Sequence, residues 1–217
     1  MNVRADSREF EYWQPEPLFA GATVFCLASG PSLTPAIAEQ VSGRPSIVIN
    51  SSCLLAPSAT VLYFTDSSWY EQHRELVAGW PGLIISMSRT AKRELPDKVR
   101  RILGDGDPVA PPDFRTGVQQ GRTSGHTAIA LAIALGARRV VLLGYDMRVV
   151  DGREHCHDDY RGPRDLDQYA RDFVPAFAGW NAAACRVGVA IVNATPDSAV
   201  TEFPFADLDQ VLACDPS

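Results

Sequence analysis

Short apolar runs alternate along this chain with stretches in which apolar residues recur at helical spacing. The runs are rich in β-branched and aromatic residues, as buried strands are, and they lie at 22–28, 45–50, 59–66, 82–88, 138–147 and 189–195. The helical stretches lie at 33–41, 67–80, 124–137, 165–187 and 205–213. This alternation predicts an α/β fold with a doubly wound, mostly parallel sheet and helices on both faces.

The same pattern predicts how the chain is organised. Two prolines interrupt residues 1–20, which predicts an irregular lead-in, and 21–217 should form a single domain. Gly, Pro and Asp are dense at about 89–121, which predicts a long mobile loop. A second, polar loop is expected at 151–163.

Two of the helices have recognisable starts. Ser32 and Thr34 are alternative N-caps for the helix at 33–41. Ser124 is predicted to cap the helix at 124–137, which is apolar nearly all round and is therefore expected to be buried.

Composition and charge exclude several classes of protein. The chain has 217 residues and a formal net charge of −6, whereas a general nucleic-acid binder presents a basic face. Its five cysteines lack C-x-x-C spacing, so we expect neither a disulfide framework nor a zinc ribbon, and a reducing, cytoplasmic location. We also expect no secretory signal and no transmembrane helix, since no stretch is long and apolar enough.

Small polar residues follow the predicted strands. Ligands of open α/β sheets bind at the carboxyl ends of strands, so these residues should meet, joined by the free N–H groups at the start of the helix at 124–137. The residues are Ser29, Gly30, Ser32, Asn50, Thr65, Asp66, Thr123, Ser124, Gly125, His126, Gly144, Asp146 and Asn193. Together they predict a nucleotide site.

Each of these residues also has a simpler interpretation. The Ser-Gly-Pro-Ser stretch at 29–32 equally fits a turn with a helix cap. Asn50 fits an Asx turn, and Asp66 fits a helix cap. Asp146 points more strongly to function, because a carboxylate directly after a buried apolar run is poorly placed for a surface role.

Histidines supply a second candidate feature. His155 and His157 flank Cys156, precede two aspartates and would lie on one side of an extended segment. Such a pair can bind a transition metal, supply a general base near neutral pH or simply belong to a surface loop. All three interpretations stay open from the residues alone.

A known family shares several of these segments. SGPSL, IVIN, YFTDSSWYEQH, TSG, AIALG and VVLLGYDM occur here in the order in which similar motifs occur in the Rossmann-like bacterial sialyltransferases of glycosyltransferase family 42. The resemblance covers roughly residues 22–150, with weaker similarity in VNATPDS. The glycine turn and the Gly-x-Asp strand also resemble those of archaeal 6-hydroxymethylpterin diphosphokinases.

The resemblance implies a donor such as CMP-sialic acid and assigns positions around it. It puts Ser29, Gly30 and Ser32 at the donor phosphate and Asn50 at the nucleotide or sugar. Thr65 or Asp66 would lie at the donor sugar, and Gly144 and Asp146 at the base or ribose. The donor site would also be lined by Thr123, Ser124 and Gly125. In the family a histidine beyond the polar loop is the general base. Residues 158–217 contain no histidine, so His155 or His157 is the nearest candidate.

The leading hypothesis is therefore a glycosyltransferase that uses a nucleotide-activated donor and requires no metal or other cofactor. Its base would deprotonate an acceptor hydroxyl, which displaces the nucleotide. The acceptor is left open, and an oligomer is compatible with the sequence. One alternative is an ATP-dependent diphosphokinase that uses Mg²⁺ held by Asp66, Asp146 and Asp158. Another is a nucleotide-binding protein without catalytic activity.

Overall fold

A single parallel sheet organises the chain in the computed structural model, which describes residues 12–108, 110–159 and 165–215. The strands are β1 (Thr23–Leu27), β2 (Ser46–Ile49), β3 (Val61–Phe64), β4 (Leu83–Ser86), β5 (Val99–Arg101), β6 (Arg139–Leu143) and β7 (Ala190–Asn193). They are arranged in the order β5-β4-β3-β2-β1-β6-β7, and every neighbouring pair is parallel. The predicted fold class and all six predicted strands are confirmed.

Seven α-helices connect the strands or follow them within the described residues. They are α1 (Pro35–Gln40), α2 (Ser67–Gln72), α3 (Arg74–Gly79), α4 (Arg89–Glu94), α5 (Ser124–Ala134), α6 (Trp180–Arg186) and α7 (Leu208–Ala213). In the described part of the chain, no helix has the length and apolarity that a membrane crossing requires.

Both faces of the sheet are covered, which explains why its strands are nearly continuous apolar runs. Val24 and Cys26 on β1 belong to the core cluster that contains α5 and α6. Phe25 and Leu27, which alternate with them, belong to the opposite cluster, which contains residues of α1, α2, α4 and α7. The central strand is fully buried as a result.

The order in which strands are added to the sheet switches sides at β1. Strands β2 to β5 are added on one side of β1, and β6 and β7 lie on the other side. Such a switch point leaves a crevice at the carboxyl ends of the central strands, where ligands of doubly wound sheets bind. The polar residues collected from the sequence lie at or just after the ends of β1, β2, β3, β6 and β7 and at the start of α5.

The segment at 89–121 differs from the single long loop that its composition predicts. Its first part forms α4, capped by the Ser88 hydroxyl, and the edge strand β5, whose Val99 is buried beside β4. The Gly, Pro and Asp residues are concentrated at 104–117, so they predict a loop only for that part. Beyond β5 the described residues form no helix or strand until α5 begins.

Two predicted helices are divided. The stretch 67–80 forms α2 and α3, which meet at His73. The stretch 165–187 forms a π-helical turn at Tyr169–Phe173, a 3₁₀ turn at Pro175–Phe177 and then α6. Pro175 cannot donate a backbone hydrogen bond, and Gly179 adopts a left-handed φ of 79° directly before α6, so a continuous helix is interrupted.

Helix starts follow local hydrogen bonding. The hydroxyl of Thr34 accepts the Ile37 N–H, so Thr34 is the cap of α1. At α5 the cap is Thr123, whose hydroxyl accepts the His126 N–H, and Ser124 is the first helical residue. The prediction that Ser124 caps this helix is wrong by one position, because either hydroxyl precedes the apolar run and only the backbone geometry distinguishes them.

The ends of the described chain contact the sheet. The Trp13 N–H donates to the Arg101 carbonyl at the edge strand, at 2.8 Å. Asp215 accepts hydrogen bonds from Thr23 and Arg138, and it forms an ion pair with Arg44 at 3.5 Å. The part of the predicted lead-in at 1–11 and the end of the polar loop at 160–163 lie outside the described residues.

Candidate functional site

A cavity of about 590 Å³ opens at the carboxyl edge of the central strands. Ten of the residues that were predicted from the sequence line it. They are Ser29, Gly30, Asn50, Thr65, Asp66, Thr123, Ser124, Gly125, Gly144 and His155. They come from six separate segments, so the fold brings together groups that are distant in sequence. Its size is in the range of small-molecule binding pockets.

The turn at 29–32 packs tightly against the end of β6. The Gly30 N–H donates to the Gly144 carbonyl at 2.8 Å, and a Cβ on Gly30 would collide with that carbonyl and with the Asp146 carboxylate. Ser32 donates to Asp146 from its N–H at 3.1 Å and from its hydroxyl at 2.8 Å. The glycine is thus required by packing within the protein, and Asp146 shapes the turn.

Asp146 is almost completely buried, and burial raises the pKa of its carboxyl above the ordinary range. The two Ser32 hydrogen bonds and the charge of Arg148 oppose that rise. Asp146 and Ser32 do not line the cavity. Their hydrogen bonds support the turn that places Ser29 and Gly30 at the cavity wall.

A pair of hydroxyls joins the third strand to the central helix. Thr65, after β3, and Ser124, in the first turn of α5, lie 2.9 Å apart. Asp66 follows at the cavity wall, and it is in the capping position of α2 without making a capping hydrogen bond. Partial desolvation raises the pKa of its carboxyl. Its side chain is therefore available to the cavity.

Asn50 directly follows β2 in a left-handed conformation, with φ 51°, and lines the cavity. The turn that carries it is held by Ser52, whose hydroxyl bonds to the Leu27 carbonyl at 2.6 Å and to the backbone of Ile49. Ser29 also donates to the Ile49 carbonyl, at 3.3 Å. These bonds tie the ends of β1 and β2 to each other.

His126 is part of the core. Its ring stacks on Phe177 with centroids 3.6 Å apart, and its Nδ1 lies 2.9 Å from the Thr123 hydroxyl. The ring is fully buried, and desolvation lowers the pKa of His126 to about 3, so it is neutral at physiological pH. It does not line the cavity, and its place beside the TSG segment in sequence gave no sign of this burial.

Asn193 is also structural. It is buried at the end of β7, donates to the Val200 carbonyl at 3.0 Å and accepts the Thr195 N–H at 3.1 Å. These bonds shape the loop that follows the strand. Like His126, it lies outside the cavity lining, because β7 is one strand beyond the switch point.

The two histidines of the polar loop are stacked, with ring centroids 5.3 Å apart and 13° between their planes. His155 lines the cavity, whereas His157 lies behind it and is only 7% exposed. The backbone N–H of Cys156 between them donates to the Ser29 carbonyl at 2.9 Å. The loop is thereby attached to the turn after β1, and one imidazole reaches the cavity.

Several lining residues were not found from the sequence. They are Gln120, Gly121, Arg122, Met147, Glu154, Asp165, Gln168, Tyr169 and Phe173. Arg122 directly precedes the TSG segment, and that position was the available signal. Tyr169 and Phe173 come from the π-helical turn, whose contact with the cavity depends on a long-range fold-back that no local pattern shows.

The charges around the cavity are unequal. Asp66, Glu154 and Asp165 contribute carboxylates, while Arg122 is the one permanently cationic side chain among the described lining residues. Arg122 lies at the start of α5, where the helix dipole also places positive charge. The described residues contain no group of three or more His, Cys, Asp or Glu side chains arranged to hold a metal ion.

Solved structures of a bacterial enzyme share this fold. CstII, a sialyltransferase from Campylobacter jejuni, in complex with cytidine-5'-monophosphate has a TM-score of 0.53 at 17% identity, over 86% of this chain and 85% of CstII. CstII in complex with CMP-3FNeuAc has a TM-score of 0.50 at 17% identity, over 85% of this chain and 84% of CstII. No protein-family profile and no curated protein matches the sequence. The chain has a sialyltransferase-like fold.

Proposed function

We propose that the protein is a glycosyltransferase that transfers a sugar from a nucleotide-activated donor, with a CMP-sugar as the first candidate. The observation that carries the proposal is the cavity, where hydroxyl, amide and backbone groups from β1, β2, β3, β6 and the start of α5 converge. CstII, which shares the fold, has been solved with CMP and with CMP-3FNeuAc.

The start of α5 supports a place for the donor phosphate. The backbone N–H groups of the first turn of a helix and its dipole favour an anion. Arg122 adds a full positive charge at the same place, and a guanidinium binds phosphate or carboxylate oxygens in pairs. The negative charge that develops on the leaving nucleotide would be stabilised here.

His155 is the proposed general base. An acceptor hydroxyl in the cavity would give its proton to the His155 imidazole while its oxygen forms a bond to the anomeric carbon of the donor sugar. The bond from that carbon to the phosphate oxygen breaks, and its electron pair leaves with the nucleotide. Only His155 of the histidine pair lines the cavity, so His157 acts through it.

We propose that donor binding needs no metal ion. The Mg²⁺-dependent alternative requires Asp66, Asp146 and Asp158 to act together. Asp66 lines the cavity, whereas Asp146 faces Ser32 behind the turn and Asp158 is not among the lining residues. These three carboxylates do not form one ligand set, which supports donor binding without a metal ion.

Donor binding is tested first by thermal unfolding with CMP, CMP-sialic acid, UDP, GDP and ATP, each with Mg²⁺ and with EDTA. We expect a shift with cytidine nucleotides that EDTA does not remove, because a ligand at about 100 times its Kd stabilises a protein by about 2.7 kcal/mol. A shift with ATP and Mg²⁺ alone would contradict the proposal and favour diphosphoryl transfer. Binding of CMP-sialic acid without hydrolysis or transfer to any added saccharide would favour a non-catalytic protein.

A pair of arginine variants locates the donor. Arg122→Gln should weaken CMP binding by about tenfold, the size expected when a charged hydrogen bond is lost. Arg100→Gln is the matched control, because Arg100 is exposed on the edge strand β5, away from the cavity. Equal affinities of both variants and the parent in titration calorimetry would remove Arg122 from the donor site.

A further inference from the structure

A row of four titratable side chains leads from the junction of α2 and α3 to the cavity: His73, Asp159, His157 and His155. The Asp159 Oδ2 lies 3.4 Å from the His73 Nε2 and 3.5 Å from the His157 Nδ1. The His157 ring in turn stacks on the His155 ring, which lines the cavity. We call these residues the histidine–aspartate row.

The end of the row that lies farthest from the cavity is packed between helices. His73 is the residue between α2 and α3, and its ring packs on Trp69 with centroids 4.7 Å apart. The indole of Trp69 is buried and donates to the Ser51 hydroxyl at 2.8 Å. His73 is therefore held by two helices and by the turn after β2, and it offers a fixed partner to the polar loop.

Asp159 connects this fixed partner to the polar loop. Its carboxylate lies between the two imidazoles, and its backbone N–H donates to the His157 Nδ1 at 3.2 Å. The side chain of Asp159 is 26% exposed, so water only partly screens these interactions. Asp159 also lies close enough to the thiols of Cys53 and Cys156 for its negative charge to add to the rise in their pKa values that burial causes.

We propose that Asp159, anchored by His73, is a positioning residue that orients the His157–His155 pair toward the cavity. The proposal deepens the proposed function and rests on it, since His155 matters for transfer only if it is the base. The Cys156–Ser29 hydrogen bond places the backbone of the loop. The contacts of Asp159 set the orientation of the imidazole rings. Orientation matters because a general base must lie in the correct geometry to accept its proton.

The first experiment needs no turnover. The imidazole C–H resonances of the apoprotein are recorded by NMR, with His155→Gln and His157→Gln used to assign them. Asp159→Asn should move the resonances of both His155 and His157. His73→Gln should also move those of His155, although His73 meets the row at its far end.

The matched control is Asp151→Asn. It removes one carboxylate from an exposed position of the same loop, and asparagine tolerates the φ of 49° found there. It should leave the resonances of His155 in place. Far-ultraviolet circular dichroism and the melting temperature of each variant show whether it is folded as the parent is.

The second experiment separates orientation from donor binding. Asp159→Asn should lower kcat by about tenfold to a hundredfold, the cost of a misplaced catalytic group, while KM for the donor changes less than about twofold. A general loss of fold would move both constants. His73→Gln should reproduce the effect on kcat to a smaller extent.

The outcomes discriminate between the two proposals. Unchanged His155 resonances in a folded Asp159→Asn variant, or a kcat equal to that of the parent, would overturn the positioning role. If the parent transfers no sugar while the resonances of the row still move together, the orientation of the pair stands and the proposed function fails.

Discussion

Gly30 shows that a glycine at a predicted ligand-binding position can also be required by packing. A glycine after a buried strand suggests a backbone left open for a phosphate. Here the space above Gly30 is occupied by the Asp146 carboxylate and the Gly144 carbonyl. The missing side chain thus permits two segments of the protein to touch, and the cavity wall is built on that contact.

Gly30→Ala should therefore destabilise the protein by about 2 kcal/mol, the usual cost of forcing an extra carbon into a packed site. The control is Gly79→Ala at the end of α3, where an added Cβ meets nothing within 4 Å. It should leave stability unchanged or raise it slightly. Urea unfolding measures both, and equal stabilities of the two variants would refute the packing role of Gly30.

His126 predicts how stability depends on pH. Burial lowers its pKa from 6.5 to about 3, so between these values the unfolded chain binds a proton that the folded chain does not. Above pH 6.5 the ring is neutral in both states, so its burial costs no stability there. The free energy of unfolding falls by up to about 1.4 kcal/mol per pH unit as the pH drops toward the folded pKa.

His126→Phe should remove this contribution, so urea unfolding at about pH 7 and about pH 5 should show a smaller loss than in the parent. Phe177→Leu is the control, because it disturbs the same stack and keeps the titratable ring. It should lower stability at both values and leave the pH dependence as in the parent. A parent without a greater acid sensitivity than His126→Phe would contradict the prediction.

At the scale of elements, α5 belongs both to the core and to the cavity wall. The helix contacts β1, β2, β3 and β6 and is buried over most of its length, while its first turn lies at the cavity. Its N-cap was predicted one residue late because Thr123 and Ser124 are both good caps. Thr123 takes the cap position, and Ser124 pairs with Thr65 across the cavity edge.

This assignment can be tested at Thr123. Thr123→Val keeps the shape and removes the hydroxyl that accepts the His126 N–H, so it should cost about 1 kcal/mol of stability. Thr123→Ser retains the hydroxyl and should cost much less. Chemical unfolding of the two variants checks the cap, and equal losses would assign the effect to packing of the methyl group instead.

At the scale of the whole molecule, the sheet order explains which predicted residues meet. Residues after β1, β2, β3 and β6 surround the switch point, and ten nominated residues line one cavity there. Asn193 is the last residue of β7, one strand farther out, and its hydrogen bonds shape the loop that follows. The row that runs from His73 to His155 joins segments that are about eighty residues apart in sequence. Only the tertiary fold brings these segments into contact.

The sequence by itself determined six of the seven strands in the described residues and the edge of the sheet where a site belongs, whereas α4 and β5 lie where a loop was predicted. Apolar runs and helical spacing are local properties, and they show where each strand ends. Since ligands bind at the carboxyl ends of parallel strands, the strand ends give the expected position of the site. Local signals also suffice for the fold class, for all six predicted strands and for a general expectation of a small-molecule cavity.

Only the tertiary structure decided what each polar side chain does. Ser32, His126, Asp146 and Asn193 have the residue types of a binding site, yet their hydrogen-bonding groups face other parts of the protein. Arg122 and the π-helical turn enter the cavity lining through the fold. The physical reason is that burial and partnership depend on segments distant in sequence, and a polar group is assigned to ligand or to protein only when its neighbours are in place.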